Sequence, residues 1–491
     1  MTGSGWWWGR PRGLGRQSFS GRCEITRCAT QGGTVKNLRT QQACPLSSLR
    51  AALSRLGCAP MRWFAALLIY RLLLPLLFLT AFPGWIVKML KRGGFGTRLG
   101  ERAAIYTTEA EFEPHGAVHI HAVSVGEALL ALKLIREWLR QEPQRRFVLA
   151  TGTATGHQVA KSAAIANVRV TYAPLDFRFM VRRYLKRFEP AQIVLIEGEA
   201  WPHLLLACRK RGIPVSLVNA RMSPRSARRY RKCAAWLRPL FSMLDAVAIQ
   251  ETEDAEIWRE LGVPPERIHH TGSLKFDPGG GAHSVRRPEF QEMLAAFGES
   301  RPIILAASTH TGEDAWIAAA ILAATPDALP VIVPRHAERR AEVKTELERA
   351  GFDVVLRSQF RPPAPSGDRR HVLVIDSTGE LRDWTAHADV VIIGKSFLAT
   401  GGQNPAEAIL AHKPVIFGPH MENFQPLADR LVAANGCIRA ADENGLRAAI
   451  LTVLNPQAAS MTRSASEILK RHEGATRRII ALLSAPASTA K

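Results

Sequence analysis

Acidic residues are scarce. Against 65 Lys and Arg the 491-residue chain sets only 43 Asp and Glu, a formal charge of +22. Such a chain is drawn to polyanions: nucleic acid, anionic lipid or phosphorylated sugars. No nucleic acid is expected as partner, because the basic residues are dispersed over helices and a leader, with no aromatic-basic platform. Cysteine is also sparse. Cys23, Cys28, Cys44 and Cys58 lie near the start, and Cys208, Cys233 and Cys437 are scattered without C-x-x-C or other metal spacing. That excludes a disulfide framework and a zinc site and fits a reducing compartment. No Asp-x-Asp pair stands between the strand-like runs of the second half, so no metal site is expected.

What is present is a globular composition, 46% hydrophobic and 22% charged, with length for about two to four domains. Residues 1–60 carry nine Lys or Arg against the single acid Glu24 and lack apolar periodicity, which predicts disorder. A transit peptide would read this way, as would an over-extended start preceding Met61. Trp63–Leu90 is apolar except for Arg71, Thr80 and Lys88, with Pro75, Pro83 and Gly84 as breaks. Leu72–Val87 as helix would be about 24 Å long, short of the roughly 30 Å hydrocarbon core unless Trp63–Tyr70 is added and Arg71 snorkels. A single span and an interfacial anchor both fit. Lys88, Lys91, Arg92, Arg98 and Arg102 follow, and the positive-inside rule keeps the body cytoplasmic.

Beyond residue 115, β-type runs (GAVHIHAV, RRFVLAT, VRVTYAP, AQIVLIEGE, IPVSLVNA, DAVAIQ, RIHHTG) alternate with helical patterns. After a Gly- and Pro-rich interval a second series follows: PIILAAS, LPVIVP, FDVVLR, HVLVID, DVVIIG and PVIFGP. Alternation of this kind predicts an α/β fold with parallel sheets, two Rossmann-like domains facing a cleft at the carboxyl ends of their strands. The expected divisions are a leader (1–60), a hydrophobic membrane anchor (61–95), a first domain (96–276), a linker (277–301), a second domain (302–458) and a C-terminal helix and tail (459–491).

Chemistry concentrates at the strand ends. Ser124-x-x-Glu127 opens a helix, where Glu127 is either a capping-box residue or a catalytic carboxylate. Glu197 and Glu199 end a buried strand; they are ligand-facing acids or partners of an Arg from the NARMSPRSARRYR segment. Lys275 stands at the linker's edge, as a solvated lysine or one that meets a phosphate or carboxylate. In the second half, Pro334, Arg335, His336 and Arg339 end a strand, and the Arg335 fork suits phosphate oxygens. Thr378, Gly379 and Glu380 form a strand-to-helix turn, a nucleotide cradle or a plain cap. Gly401 and Gly402 precede Asn404, Pro405, Ala406 and Glu407 at a helix start, a loop able to offer amides to a phosphate and a carboxylate to a ribose.

HAVSVGE, YAPLD, IEGEAWP, VNARMSPRSARRY, GSLKFD, AASTHTGE, VPRHAER and GGQNPAEA with KPVIFGPH, in this order from about Gly96 to Gly436, resemble the blocks of bacterial 3-deoxy-D-manno-octulosonic acid (Kdo) transferases of lipid A assembly. The resemblance implies a GT-B glycosyltransferase moving Kdo from CMP-Kdo to a lipid A precursor with inversion, at the cytoplasmic face of a bacterial inner membrane whose anionic surface it meets. It implies Glu127 as general base, Glu197 and Lys275 as transition-state stabilisers, and CMP contacts at Pro334, Arg335, Thr378, Gly379, Glu380, Asn404, Pro405, Ala406 and Glu407. It implies no cofactor beyond the donor. Departures are Thr378 where the family often has Met, Lys395 for Gly, Gln403 for His and His203 for Asn. The rival enzyme reading is another GT-B protein, such as lipid A disaccharide synthase or a UDP-sugar epimerase.

Overall fold

The computed structural model describes residues 63–84, 87, 99–106, 115–198, 200–277, 284–298, 300–361, 370–455 and 458–485. The leader 1–60, Lys88, Lys91, Arg92, Arg98 and Glu199 lie outside the described residues. Helix α1, Trp63–Gly84, is long and apolar enough to cross a membrane. It continues through Pro75, expected as a break, because contacts on both sides of the proline hold its two arms in line: Tyr70 before it bonds to Asp176 and Phe78 after it packs on Phe177.

Seven strands follow: β1 (Val118–Ala122), β2 (Phe147–Thr151), β3 (Val168–Tyr172), β4 (Gln192–Ile196), β5 (Val215–Ala220), β6 (Ala246–Ile249) and β7 (Ile268–His270). They form one parallel sheet in the order β3-β2-β1-β4-β5-β6-β7. Between them run α2 (Val125–Gln141), α3 (Ala154–Ser162), α4 (Arg178–Phe188), α5 (Pro202–Arg211), α6 (Pro224–Lys232), α7 (Ala234–Phe241) and α8 (Ala255–Glu260). Every residue of β1, β2 and β4 is buried, as expected for parallel strands covered on both faces, and an apolar cluster lies on each side of the sheet.

The second sheet contains β8 (Ile303–Thr309), β9 (Leu329–Pro334), β10 (Asp353–Leu356), β11 (His371–Val374), β12 (Val390–Ile393), β13 (Val415–Phe417) and β14 (Ile438–Arg439). It is also parallel, in the order β10-β11-β9-β8-β12-β13-β14. Its helices are α9 (Pro288–Ala295), α10 (Glu313–Ala324), α11 (Arg340–Arg349), α12 (Leu381–His387), α13 (Ala406–Leu410), α14 (Gln425–Ala433) and α15 (Glu443–Val453), followed by α16 (Ala458–Lys470) and α17 (Ala475–Ser484). All thirteen expected strands are present, and the two-residue β14 is additional.

Two stretches differ from expectation. The interval 277–301, read as linker, contains α9, whose Phe290 is fully buried and stacks on Trp384 at 4.0 Å, so an apolar face hidden among Gly and Pro docks it to the second half. The C-terminal pattern, read as one helix, is two. α16 adds Ala465, Ile468 and Leu469 to the second core; the chain turns at Gly474 (φ 74°), and α17 adds Ile479, Ile480 and Leu483 to the first. The Asp277 carboxylate accepts from the Gly474 and Thr476 amides at 3.0 and 2.6 Å and seals that return.

Candidate active site

Each sheet has one place where successive connections leave in opposite directions, and open α/β sheets bind ligands outside the carboxyl ends of the strands there. In the first sheet it lies between β1 and β4, in the second between β8 and β12. Glu127 follows β1 and Glu197 follows β4. Lys395 follows β12, while Glu313 opens the helix after β8. Glu197, Ser308 and Lys395 all have left-handed backbones (φ 68°, 59° and 56°), uncommon for side-chain-bearing residues and frequent at functional turns.

Glu127 forms the expected cap. Its amide donates to Ser124 Oγ at 3.2 Å, and its carboxylate accepts from Ser124 Oγ and from the Val123 amide, both at 2.9 Å. A carboxylate has about four acceptor positions, so two remain for a substrate hydroxyl. Burial pushes the carboxyl above its ordinary range; the Val123 and Ser124 hydrogen bonds oppose the rise and the charge of Glu197 adds to it. Capping and proton acceptance are therefore compatible in one side chain.

Glu197 does not pair with an Arg of the 219–231 segment. Its carboxylate lies 3.4 Å from Lys275 Nζ, and the same ammonium is 5.9 Å from the centre of the Phe424 ring, which belongs to the second half. Lys275 is positioned from behind: Lys133 on α2 donates to the carbonyls of Leu274 (2.7 Å) and Asp277. Asn219 Oδ1 accepts from the Leu274 amide at 2.9 Å. Glu251, which follows β6, meets Arg430 of α14, so the carboxyl edges of the two sheets face each other across the cleft.

In the second half Pro334 is buried and Arg335 exposed, while Arg339 is committed to Asp314 at 2.8 Å. Thr378 and Gly379 are exposed, and Glu380 is held by Arg357 at 2.9 Å, by Trp384 at 3.4 Å and by the Ser377 hydroxyl. Asn404 Oδ1 accepts from the Ala406 amide at 3.1 Å; Pro405 and Ala406 are buried, and the half-buried Glu407 carboxylate has no hydrogen bond or ion pair among the described residues. The glycine loop departs from expectation. The Gly401 amide donates to Glu422 (2.6 Å) and the Gly402 amide to the Lys395 carbonyl (2.9 Å), so neither offers its hydrogen to a phosphate. A Cβ at Gly402 would lie 2.5 Å from Met421 Sδ, which shows that this glycine serves close packing. The cation above the loop is Lys395, whose Nζ lies 3.7 Å from where a Cβ on Gly401 would stand.

Arg102, counted among the cations after the anchor, is buried instead: it stacks over Tyr172 at 4.0 Å and donates to the Gly152 carbonyl at 2.6 Å. Two positioning residues escaped the sequence reading. Lys133 resembles any amphipathic-helix lysine. Glu313 is fully buried, and its carboxylate accepts from the amides of His310 (3.1 Å), Lys395 (2.5 Å), Phe397 (3.1 Å) and Leu398 (3.3 Å), carrying the loop after β12. Its only trace in sequence is an acid at a helix start. Among the described residues no group of three His, Cys, Asp or Glu side chains is arranged to hold a metal.

Two facing parallel α/β domains with acids and cations at their opposed switch points have the GT-B architecture. Residues 97–278 match the family model described as 3-deoxy-D-manno-octulosonic-acid transferase. The Kdo transferase of Haemophilus influenzae is 32% identical over 400 residues, 80% of this chain and 92% of its own, and that of Bordetella pertussis is 36% identical over 378, 74% and 86%. The chain belongs to the Kdo transferase family. Among solved structures, the UDP-GlcNAc 2-epimerase of Neisseria meningitidis bound to UDP-GlcNAc shares the fold, with a TM-score of 0.52 at 12% identity over 75% of this chain and 99% of its own.

Proposed function

We propose that this transferase moves Kdo from CMP-Kdo to a hydroxyl of a lipid A precursor, a tetraacyldisaccharide 4'-phosphate, with inversion, and that Glu127 is the general base. The observation that carries the reading is the Glu127 carboxylate, pushed basic by burial, with acceptor capacity left over, next to the Glu197–Lys275 pair. A sugar hydroxyl is a poor nucleophile while protonated, and a carboxylate poised above its usual pKa is matched to take that proton as the bond forms. The acceptor oxygen bonds to the anomeric carbon, the bond from that carbon to the phosphate oxygen breaks, CMP leaves with the electron pair, and the proton rests on Glu127.

Charge then gathers on the departing phosphate, and cations held in place stabilise it most. Arg335 and Lys395 are the available cations at the second switch point, and Lys275 bridges the cleft beside the donor sugar's own carboxylate. Glu407, with its carboxylate uncommitted, suits the ribose hydroxyls; Pro334, Thr378, Gly379, Glu380, Asn404, Pro405 and Ala406 shape the remaining CMP contacts, Glu380 through its backbone because its carboxylate is engaged. The test is mass spectrometry of the product from CMP-Kdo and a defined precursor, with CMP-Kdo replaced by a UDP-sugar in a second arm. Addition of Kdo from CMP-Kdo alone supports the reading; transfer from the UDP-sugar alone overturns it.

A further inference from the structure

The geometry points to α1 lying flat in the membrane interface along the catalytic edge of the first domain, with one face on the protein and the other in lipid. The helix is 22 residues, about 33 Å, so crossing a hydrocarbon core of roughly 30 Å would take nearly its whole length. Yet the domain holds it at four positions from its first residue to Phe78. Trp63 packs on the first core and Leu67 is buried. The Tyr70 hydroxyl donates to Asp176 Oδ2 at 2.8 Å, and its ring meets that of His203 at 5.2 Å. Phe78 meets Phe177 edge-on at 5.7 Å. These positions follow helical spacing, so one continuous face is committed, and a spanning helix would drag the Asp176 region into hydrocarbon with it.

That region is not made for hydrocarbon. The buried Asp176 carboxylate also accepts from the amides of His203 and Leu204, each at 2.9 Å, at the start of α5. Asp176 and Phe177 follow β3, and His203 follows β4, so the anchor is fastened on the same sheet edge that carries Glu127 and Glu197. The other face of α1 presents Phe64, Leu68, Leu72, Leu76 and Leu79, all exposed and again at helical spacing. Next to it, beginning at Phe177, α4 exposes Phe179 with Arg178, Arg182, Arg183 and Lys186, and none of these cations has an ion pair among the described residues. An exposed apolar stripe bordered by unpaired cations fits the boundary of an anionic bilayer, where an in-plane helix sits about 5–10 Å deep. A lipid acceptor then reaches the switch point from the membrane surface without leaving it.

The inference rests on the lipid acceptor of the proposed function but not on the identity of the base, and the test separates the two. Single cysteines at Phe64→Cys, Leu72→Cys and Leu79→Cys, in the full chain with Cys233 and the leader cysteines changed to Ser, are labelled with bimane. The protein is placed in phosphatidylethanolamine–phosphatidylglycerol vesicles containing lipids that quench at shallow or deep positions. All three probes are expected at one shallow depth. A probe at Leu72 deeper than the outer two, or no quenching at any site, overturns the proposal. Arg182→Gln with Arg183→Gln should lower binding to the anionic vesicles roughly ten- to thirtyfold and leave neutral vesicles unchanged; equal binding of this double variant to anionic vesicles overturns the contribution of α4. Kdo transfer by the same proteins reports on the catalytic reading separately, because a wrong base leaves the depth profile as it is.

Discussion

Glu127 and Glu313 occupy corresponding places in the two halves, each in the first turn of the helix that follows the first strand of its sheet, and they do opposite things. Glu313 is saturated: four amides donate to its carboxylate and nothing is left over. Glu127 receives one amide and one hydroxyl and keeps part of its acceptor capacity. The difference extends outward. Around the first switch point Glu127 keeps acceptor capacity and Glu197 is shared with Lys275; around the second Glu313 and Glu380 are held by the fold, Glu407 is uncommitted, and Arg335 and Lys395 supply the cations. On the proposed reading, one architecture, duplicated, supplies a base on one side of a cleft and anion binding on the other.

The largest effect that would break this contrast is expected at Glu127. Glu127→Gln keeps the capping geometry, since the box accepts Glu or Gln, and removes the base. Turnover should fall roughly 10²–10⁴-fold with CMP affinity unchanged. Because the folded carboxyl titrates above its unfolded value, its ionisation costs stability once the pH is above both, so the variant's Tm should equal or exceed the parent's. The low-pH limb of kcat/KM in the parent should lie above the ordinary carboxylate pKa and disappear in the variant. Near-normal turnover would make Glu127 a cap like any other.

At Glu313 the expected outcome is structural. Glu313→Ala strips the acceptor from four amides, of which those of Lys395, Phe397 and Leu398 lie in the loop after β12, at a cost of about 3 kcal/mol or more in stability. Denaturant unfolding measures it. CMP affinity should fall with it, as Lys395 loses its anchor. Full stability would show that the two glutamates are not the opposites described here.

How far this contrast was legible in sequence depends on the distance over which it is built. The strands were readable because strands buried on both faces are continuous apolar runs, and β14 escaped because two residues cannot make a run. Glu127 was readable to the point of two compatible roles, since Ser124-x-x-Glu127 is a local pattern. The Glu197–Lys275 pair was not, because the partners come from different elements and their meeting depends on how Lys133 and Asn219 fix the segment between them. The glycine loop misled in a specific way: it has the residues of an anion cradle, but its amides are taken by Glu422 and by the Lys395 carbonyl.

A smaller effect is expected at Lys395, which tests whether cations replace those amides. Lys395→Met keeps the length and removes the charge; CMP should bind about five- to tenfold more weakly, a change of roughly 1 kcal/mol for one charge-assisted contact. The difference should shrink as salt rises. Titration calorimetry with CMP and, separately, with free Kdo distinguishes a phosphate contact from a sugar-carboxylate contact. Unchanged affinity for both would leave the phosphate contact to Arg335.

The smallest effect lies at the seam between the halves, where the division of charge recurs. Glu251 and Glu253 of the first half face Arg430, with Arg471 and His472 also within 3.6–3.7 Å of Glu251. Asp254 stands in the same group, but its carboxyl is pushed up to about 6, first by burial and then by the charge of Glu251, so its ionised form is disfavoured although Arg430 is near. Between roughly pH 4, where an unfolded aspartate releases its proton, and pH 6, the folded protein still holds one. Stability contributed by this site therefore falls as pH rises through that window, and the penalty is complete above it. Asp254→Asn should raise stability by about 1 kcal/mol above pH 6, a figure kept below the full linkage value because the carboxyl is partly exposed, and the gain should vanish below pH 4. Thermal unfolding from pH 4 to 8 measures it. A variant destabilised at pH 7 would mean that Asp254 is a paired member of the seam, and that the first half presents three working acids to the second half's cations where two are described here.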